Sequence, residues 1–351
     1  MESLIRDVKY NCDLSDALHW GYFSICGLLM RMRDLYRAEL GLRPWEPINR
    51  EEIVDWIGVR EEYWSELQDQ HYRNITTPAT SRDAFDSVLI NREIGGYGLV
   101  YGAGYALHMK PTFFIGEIQS CSKIDGHTAY VVKRESARDL FASAGMLQGG
   151  DIFVRLDPLR VLLWERFMEA QGRGDRHSLQ AFADFGITPG QDLDAKFDSQ
   201  FSAFTEHYAQ VVLLHELAEA REDLPEWPPL LSQCEDRRTE YLLRQVKDAI
   251  ADTSDRGPLK YLIDRRDSAT LALYLQSFTA YQKRLCLRIR ESFDEFVRTG
   301  DWDAFDFERQ TAFRRLTSAR DEILESHRSC TSREDFLADM ERLEKRLSGD
   351  S

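Results

Sequence analysis

His215, Glu216 and Glu219 follow directly on the apolar run Val211, Val212, Leu213 and Leu214. An imidazole and two carboxylates therefore enter the chain where it has just committed to burial. His215 and Glu216 match the opening of a zinc-protease helix, but that motif needs a second histidine four residues after the first. This chain has Glu219 there. As a metal site, His215 and Glu219 are ligands to a divalent transition metal, Glu216 beside them is a general base, and at least one further ligand comes from elsewhere. His108 is the expected further ligand, with His127, Glu117 and His207 as the other donors. The competing reading is structural: His215 hydrogen-bonds Glu219 or a backbone carbonyl and braces the end of its helix.

The surrounding spacing places these groups. Phe197, Phe201, Phe204, Tyr208, Val211, His215, Ala218 and Glu222 follow steps of three and four, one stripe facing a core. Glu219 lies one turn beyond His215 on the same surface. A di-iron carboxylate bundle would need Glu-x-x-His on two helices, and that spacing does not occur. Glu235, Asp236 and Glu240, with Arg237 and Arg238 between them, read as a solvated face.

His108 closes a second unusual stretch, residues 95–107. Period two puts Tyr97, Leu99, Tyr101, Ala103, Tyr105 and Leu107 on one face and Gly96, Gly98, Val100, Gly102, Gly104 and Ala106 on the other. This predicts a strand whose glycine face admits another backbone or a ligand. A helix with Gly98, Gly102 and Ala106 at four-residue spacing is the alternative. The glycines lack the spacing of a phosphate-binding loop.

These residues need a scaffold, and composition supplies one. The chain has 351 residues, 43% hydrophobic and 30% charged, with 19 Phe, 14 Tyr and 7 Trp, which is the make-up of a folded protein. The expected class is α+β and predominantly helical. N-terminal helices with a small antiparallel, glycine- and tyrosine-rich sheet occupy residues 1–176, and a C-terminal helical bundle occupies 177–351. A helix is predicted over residues 14–40, capped by Asp13 or Ser15 and stopped by Gly41, and buried because it is apolar nearly all round through Met32. Asn49 and Glu52 make a capping box for a second helix to about Gln70, and a third begins at Ser81. Asp125-Gly126 predicts a two-residue hairpin pairing Ile124 with His127 and Glu117 with Arg134. Ser136 and Asp139 predict a short helix to Ala144, residues 151–156 a strand, and Asp157-Pro158 the start of a helix. Further helices are expected over 178–185, 190–222, 229–252, 259–298, 303–326 and 332–347.

The net charge of −15 repels phosphate backbones, leaving room only for a local basic patch. No signal peptide is evident, and the most apolar window, residues 17–32, is too short to span a bilayer. No nucleic-acid or membrane partner is expected. Six cysteines without a CxxC pair fit reduced thiols and a cytoplasmic location. Cys26 and Cys121 are expected to be buried and inert. Asp13, Asp16 and His19 either face a cleft or cap and hydrogen-bond.

Two functional classes follow. One is a metal- or small-molecule-binding protein, extending to a metal-dependent hydrolase. The other is a non-enzymatic interaction protein that pairs as a homodimer, or with a protein partner, through its C-terminal helices. Its motive is the apolar face Leu271, Leu275, Phe278, Leu285 and Ile289 along the 259–298 helix.

Lys9-Tyr10-Asn11-Cys12-Asp13, the block from His19 to Gly27, and residues 95–117 resemble an uncharacterised conserved family of anaerobic, sulfate- or metal-reducing bacteria. The resemblance covers most of the chain. It implies a bacterial cytoplasmic protein and brings no catalytic motif.

Overall fold

Leu4, Val8 and Cys12 stand four residues apart and are all buried, so the first helix begins almost at the N-terminus. In the computed structural model, which describes residues 1–222, 224–234 and 236–348, α1 spans Glu2–His19. The chain then breaks at Trp20–Tyr22, and α2 runs Ile25–Leu40. The single helix expected over 14–40 is therefore two. Ser24 makes the second start: its hydroxyl accepts the Gly27 N–H at 3.1 Å, an N-cap in mid-stretch. The expected burial also fails, because Ile25 is 80% exposed and Leu29 and Met30 about half. The segment's apolar letters belong to two helices that point different residues to solvent.

α3 (Arg50–Leu67) opens where Asn49 and Glu52 place it, with Asn49 as N-cap but without the reciprocal bonds of a capping box. Asn49 Oδ1 accepts from Glu51 N–H at 2.9 Å, and its amide donates to Glu52 at 3.1 Å. No helix starts at Ser81. Instead β1 (Ile75–Thr76) and β2 (Ser81–Arg82) pair antiparallel, and α4 (Ser87–Ile94) follows under an Asp86 cap.

The main sheet has five strands: β3 (Leu99–Tyr105), β4 (Pro111–Ile124), β5 (His127–Arg138), β6 (Gly145–Gln148) and β7 (Asp151–Arg155). Their order is β3-β4-β5-β7-β6, with β5 and β7 parallel and the other neighbours antiparallel. The β4/β5 turn has positive φ at Asp125 (49°) and Gly126 (88°), the geometry of a two-residue hairpin. Its register pairs Ile124 with His127 and Glu117 with Arg134, as the turn letters require. The helix expected from Ser136 is absent: β5 continues to Arg138, and residues 139–144 form a loop. Asp139 does not complete a capping box, because its carboxylate accepts from Phe113 N–H (2.9 Å) and Phe141 N–H (2.7 Å).

The glycine stretch is a strand only over Leu99–Tyr105; Gly95–Tyr97 make a turn and Gly98 takes a φ of 72°. Tyr101 and Ala103 bury against Phe113, Ile115 and Ile90, and the opposite face packs Val100 on Phe114, Val132 and Phe153. Asn91 bonds both the N–H and the C=O of Tyr101. What approaches the glycines is the protein's own side chains. A Cβ on Gly102 would lie 2.0 Å from the Phe114 ring, and one on Gly104 2.5 Å from the Gln148 amide. Gly102→Ala is expected to lower stability by about 1–3 kcal/mol through overpacking, read by denaturant unfolding. Gly96→Ala, where a Cβ would meet nothing within 4 Å, is the control; an equal loss there would locate the cost elsewhere.

α5 (Leu156–Arg173) crosses from the first compact unit, Met1–Glu165 with Leu193–Asp198, into the second, Arg166–Asp192 with Ser199–Ser351. The described part of the second unit is helical: α6 (Arg176–Ala183), α7 (Ala195–Arg221), α8 (Trp227–Gln233), α9 (Arg237–Thr253), α10 (Pro258–Arg265), α11 (Ser268–Ser277), α12 (Ala280–Leu285), α13 (Leu287–Thr299), α14 (Trp302–Ser329) and α15 (Arg333–Ser348). The 229–252 and 259–298 helices are thus subdivided. Within 259–298 the breaks fall where Asp267 and Thr279 cap new starts and Arg266 takes a left-handed φ of 54°. Leu271, Leu275, Phe278, Leu285 and Ile289 are distributed over these pieces and are all buried, so no single helix carries them as a face. Among the described residues no helix is long and apolar enough to cross a membrane.

Candidate functional site

α7 carries its stripe into the core as the spacing requires. Phe201, Phe204, Tyr208, Val211 and Ala218 are buried, and Phe204 packs on Phe182 with ring centroids 4.6 Å apart. His215 continues the stripe where polarity begins, with a fifth of its side chain exposed.

Its hydrogen-bond partner is neither Glu219 nor a backbone carbonyl. Nδ1 lies 2.7 Å from Oδ1 of Asp252 on α9, and the same oxygen accepts the hydroxyl of Tyr274 on α11. With a carboxylate as acceptor, Nδ1 carries a proton in either state, and when the ring is neutral Nε2 is its lone-pair nitrogen. Nε2 is 4.0 Å from Oε2 of Glu219, whose other oxygen is 2.7 Å from Lys247 Nζ. Glu216 is 6% exposed, and its carboxyl makes no hydrogen bond or ion pair among the described residues. Asp248 is half-buried and accepts from Gln245 at 3.0 Å.

The carboxyls Glu216, Glu219, Asp248 and Asp252 thus face the cations His215 and Lys247, and their protonation reflects the crowding. Burial, and then the Glu219 charge, push Glu216 up to about 8. Burial and Glu219 likewise bring Asp248 to about 7. Burial alone would lower His215, but the adjacent Asp252 charge and hydrogen bond outweigh it and hold the imidazolium well above its ordinary range. Glu219 is drawn below its ordinary value, because Lys247 and His215 outweigh its burial.

His215, Glu216 and Glu219 can each offer one ligand atom such that these atoms lie within 4.8 Å of one another, which is the reach of a bound cation. The other candidate donors have surroundings of their own. His108 sits in the first unit, in the turn after β3 with a φ of 61°, its ring edge-on to Tyr22 at 5.4 Å. His127 Nδ1 contacts the Gly150 carbonyl at 3.0 Å, Glu117 pairs with Arg134 at 2.8 Å, and His207 is 3.7 Å from Asp267. Asp13 pairs with Arg60, Asp16 with Lys110 at 3.1 Å, and His19 Nδ1 contacts the Ser15 carbonyl at 2.9 Å.

Asp252, Tyr274, Lys247 and Asp248 are not visible as site residues from α7's own sequence. One signal was present: Asp248 and Asp252 are four apart on a helix, with Asp252 three residues after Ala249 on its buried side. The solvated face proposed around residue 240 needs correction too. Glu235 lies outside the described residues, Asp236 caps α9 through the Thr239 N–H at 2.7 Å, and Glu240 is 2% exposed and paired with Arg244 at 2.9 Å. Cys26 and Cys121, expected to be buried, are exposed, because α2 and the distal end of β4 turn them to solvent.

Comparison with known proteins adds family membership. Residues 3–155 match the N-terminal domain of a family of unknown function, DUF6866, and residues 160–347 match its C-terminal domain. The chain belongs to DUF6866. No curated protein and no solved structure matches this DUF6866 chain. Both the helix bearing His215 and the one bearing Asp252 fall within the C-terminal domain match.

Proposed function

We propose that this DUF6866 protein binds a divalent transition-metal ion through His215 Nε2, Glu216 and Glu219, with Asp252 holding the imidazole in register. The observation that carries the reading is Glu216. A buried carboxyl without a protein partner costs stability, and a cation between it, Glu219 and Nε2 would supply the missing charge. The Tyr274–Asp252–His215 chain supports it, since ligating histidines commonly give their other nitrogen to a carboxylate. Three protein ligands leave a coordination position open for water, the requirement for hydrolytic chemistry. Glu216 as a ligand cannot also serve as the free base, so an enzymatic role would need another proton acceptor. Six cysteines, none bonded to another, fit a reducing compartment.

The test is elemental analysis of protein purified without chelator, followed by titration of zinc, manganese and nickel into the metal-free form. One bound ion per chain is expected, with occupancy lost in both His215→Ala and Glu216→Gln. A wild-type protein that takes up none of these ions would end the proposal.

The metal-free protein should also lose stability as pH rises. Glu216 at about 8 and Asp248 at about 7 retain protons that the unfolded chain releases near its ordinary carboxylate values. Across that window the folded state binds more protons, so stability falls with rising pH. His215 acts in the same sense: its contribution is complete below the ordinary 6.5 and lost as pH climbs through its raised folded value. Glu219, held low, keeps its contribution throughout. The melting temperature of the metal-free protein should therefore be lower at about pH 9 than at about pH 6. Bound metal should reverse the order, because its ligands must be deprotonated.

The interaction reading has lost its motive as one continuous apolar helix face. Light scattering tests it directly: a concentration-independent monomer would set aside the homodimer.

A further inference from the structure

The second unit contains a cavity of about 270 Å³ lined by residues of α5, α6, α11, α12 and α13. Arg173, Lys283 and Arg290 converge on it, in a chain whose net charge is −15. The Arg290 guanidinium makes no hydrogen bond or ion pair among the described residues, and Lys283 Nζ donates to the Gln276 carbonyl at 3.1 Å. Burial and then the neighbouring Arg290 depress the Lys283 ammonium, the mark of cations crowded without enough counter-charge. Gln276 lines the same cavity, and both its amide nitrogen and its amide oxygen are buried without a hydrogen-bond partner. A buried amide is rarely left so.

The negative groups nearby are mostly committed. Glu169 bonds Arg166 at 2.6 Å and Arg173 at 2.9 Å. Asp175 caps α6, accepting from His177 N–H, Ser178 N–H and Ser178 Oγ. Asp294 remains on the wall and would repel a highly charged polyanion. Leu275, Phe293 and Val297 supply an apolar surface.

We infer that this cavity binds a small organic anion, a single carboxylate or phosphate-monoester group on an apolar body. The anionic group sits between Lys283 and Arg290, the Gln276 amide turns to hydrogen-bond it, and the body lies on Phe293 and Leu275. The volume falls just below the common range for drug-sized ligands, about 300–1,000 Å³, which suits a small metabolite. This inference is independent of the metal proposed at His215.

The experiment is calorimetric titration of the full chain with phenyl phosphate and with benzoate, using benzyl alcohol as the uncharged control. Saturable binding of at least one anion is expected, with none for the alcohol. Arg290→Gln and Lys283→Met should each weaken it by about tenfold or more, the loss of one charge-assisted hydrogen bond. Arg290 is exposed, so Arg290→Gln should fold even if Lys283→Met does not. Failure of both anions to saturate, or unchanged affinity in Arg290→Gln, would overturn the assignment. If phenyl phosphate alone binds, the group recognised is a phosphate ester; if benzoate alone binds, it is a carboxylate.

Discussion

Asp252→Ala is expected to destabilise the second unit by about 3–5 kcal/mol, the cost of removing one member of a buried ion pair. Asp252 is 1% exposed, and its Oδ1 receives both the His215 ring and the Tyr274 hydroxyl. Truncation leaves two donors facing a void, and the imidazolium loses the charge that holds its proton. Asp252→Asn keeps an oxygen for one donor and should cost less, about 1–3 kcal/mol. Hydrogen exchange on α7 and α9 separates this local loss from events elsewhere in a two-unit chain, where a single unfolding free energy is not well defined. Under the metal proposal, Asp252→Asn should also weaken metal binding by about 10–100-fold, as loss of a ligand's supporting partner does. Two results are thus separable. Lost stability with unchanged metal affinity makes Asp252 a brace only, and unchanged stability, within about 0.5 kcal/mol, removes even that role.

How far the sequence could reach depended on where each residue's partner sat. The β4/β5 hairpin was legible because its determinant is local: Asp125-Gly126 supplies two left-handed residues, and register follows by counting outward. The α7 stripe was legible for the same reason, since periodicity belongs to one helix. The partners of His215 were not, because Asp252 lies 37 residues away and Tyr274 enters from a third helix. The 14–40 helix failed through composition. A run of apolar letters predicts burial, yet Leu18, Trp20, Ile25, Leu29 and Met30 are all more than 40% exposed. Meanwhile the preceding turns, with Asp7, Asp13 and Asp16 among them, lie inside. Carboxylates on a helix read as surface until their counter-charges are known. Here the counter-charges are Arg60 for Asp13 and Lys110 for Asp16, while Asp7 accepts the backbone N–H of Thr76.

Lys110 carries the second large expectation. It is 2% exposed, with Nζ 2.9 Å from Ser15 Oγ, 3.1 Å from Asp16 and 3.4 Å from Asp139. Burial alone would lower its pKa, but Asp139 and Asp16 more than reverse that, so it is a charged ammonium within the first unit. Both carboxylates also hold backbone: Asp16 accepts Leu140 N–H at 3.0 Å, and Asp139 accepts Phe113 N–H at 2.9 Å. The three side chains therefore tie α1 to β4 and to the loop that replaces the expected 136–144 helix. Lys110→Met preserves length and removes charge, leaving two buried acids without the ammonium between them. A loss of about 3–5 kcal/mol in the first unit is expected at neutral pH. The variant should recover part of that loss on acidification. Asp16 already sits at about 7 with the lysine present, and removing the ammonium can only raise it, so the acid will hold its proton more readily and the variant's stability should climb as pH falls. Adding Asp16→Asn to Lys110→Met tests the cause. The double variant removes one of the two stranded charges and should be more stable than Lys110→Met alone, a coupling that a double-mutant cycle measures directly. If the two losses simply add, the ammonium is not what permits Asp16 to be buried, and α1 must be held by its apolar stripe of Leu4, Val8 and Cys12 instead.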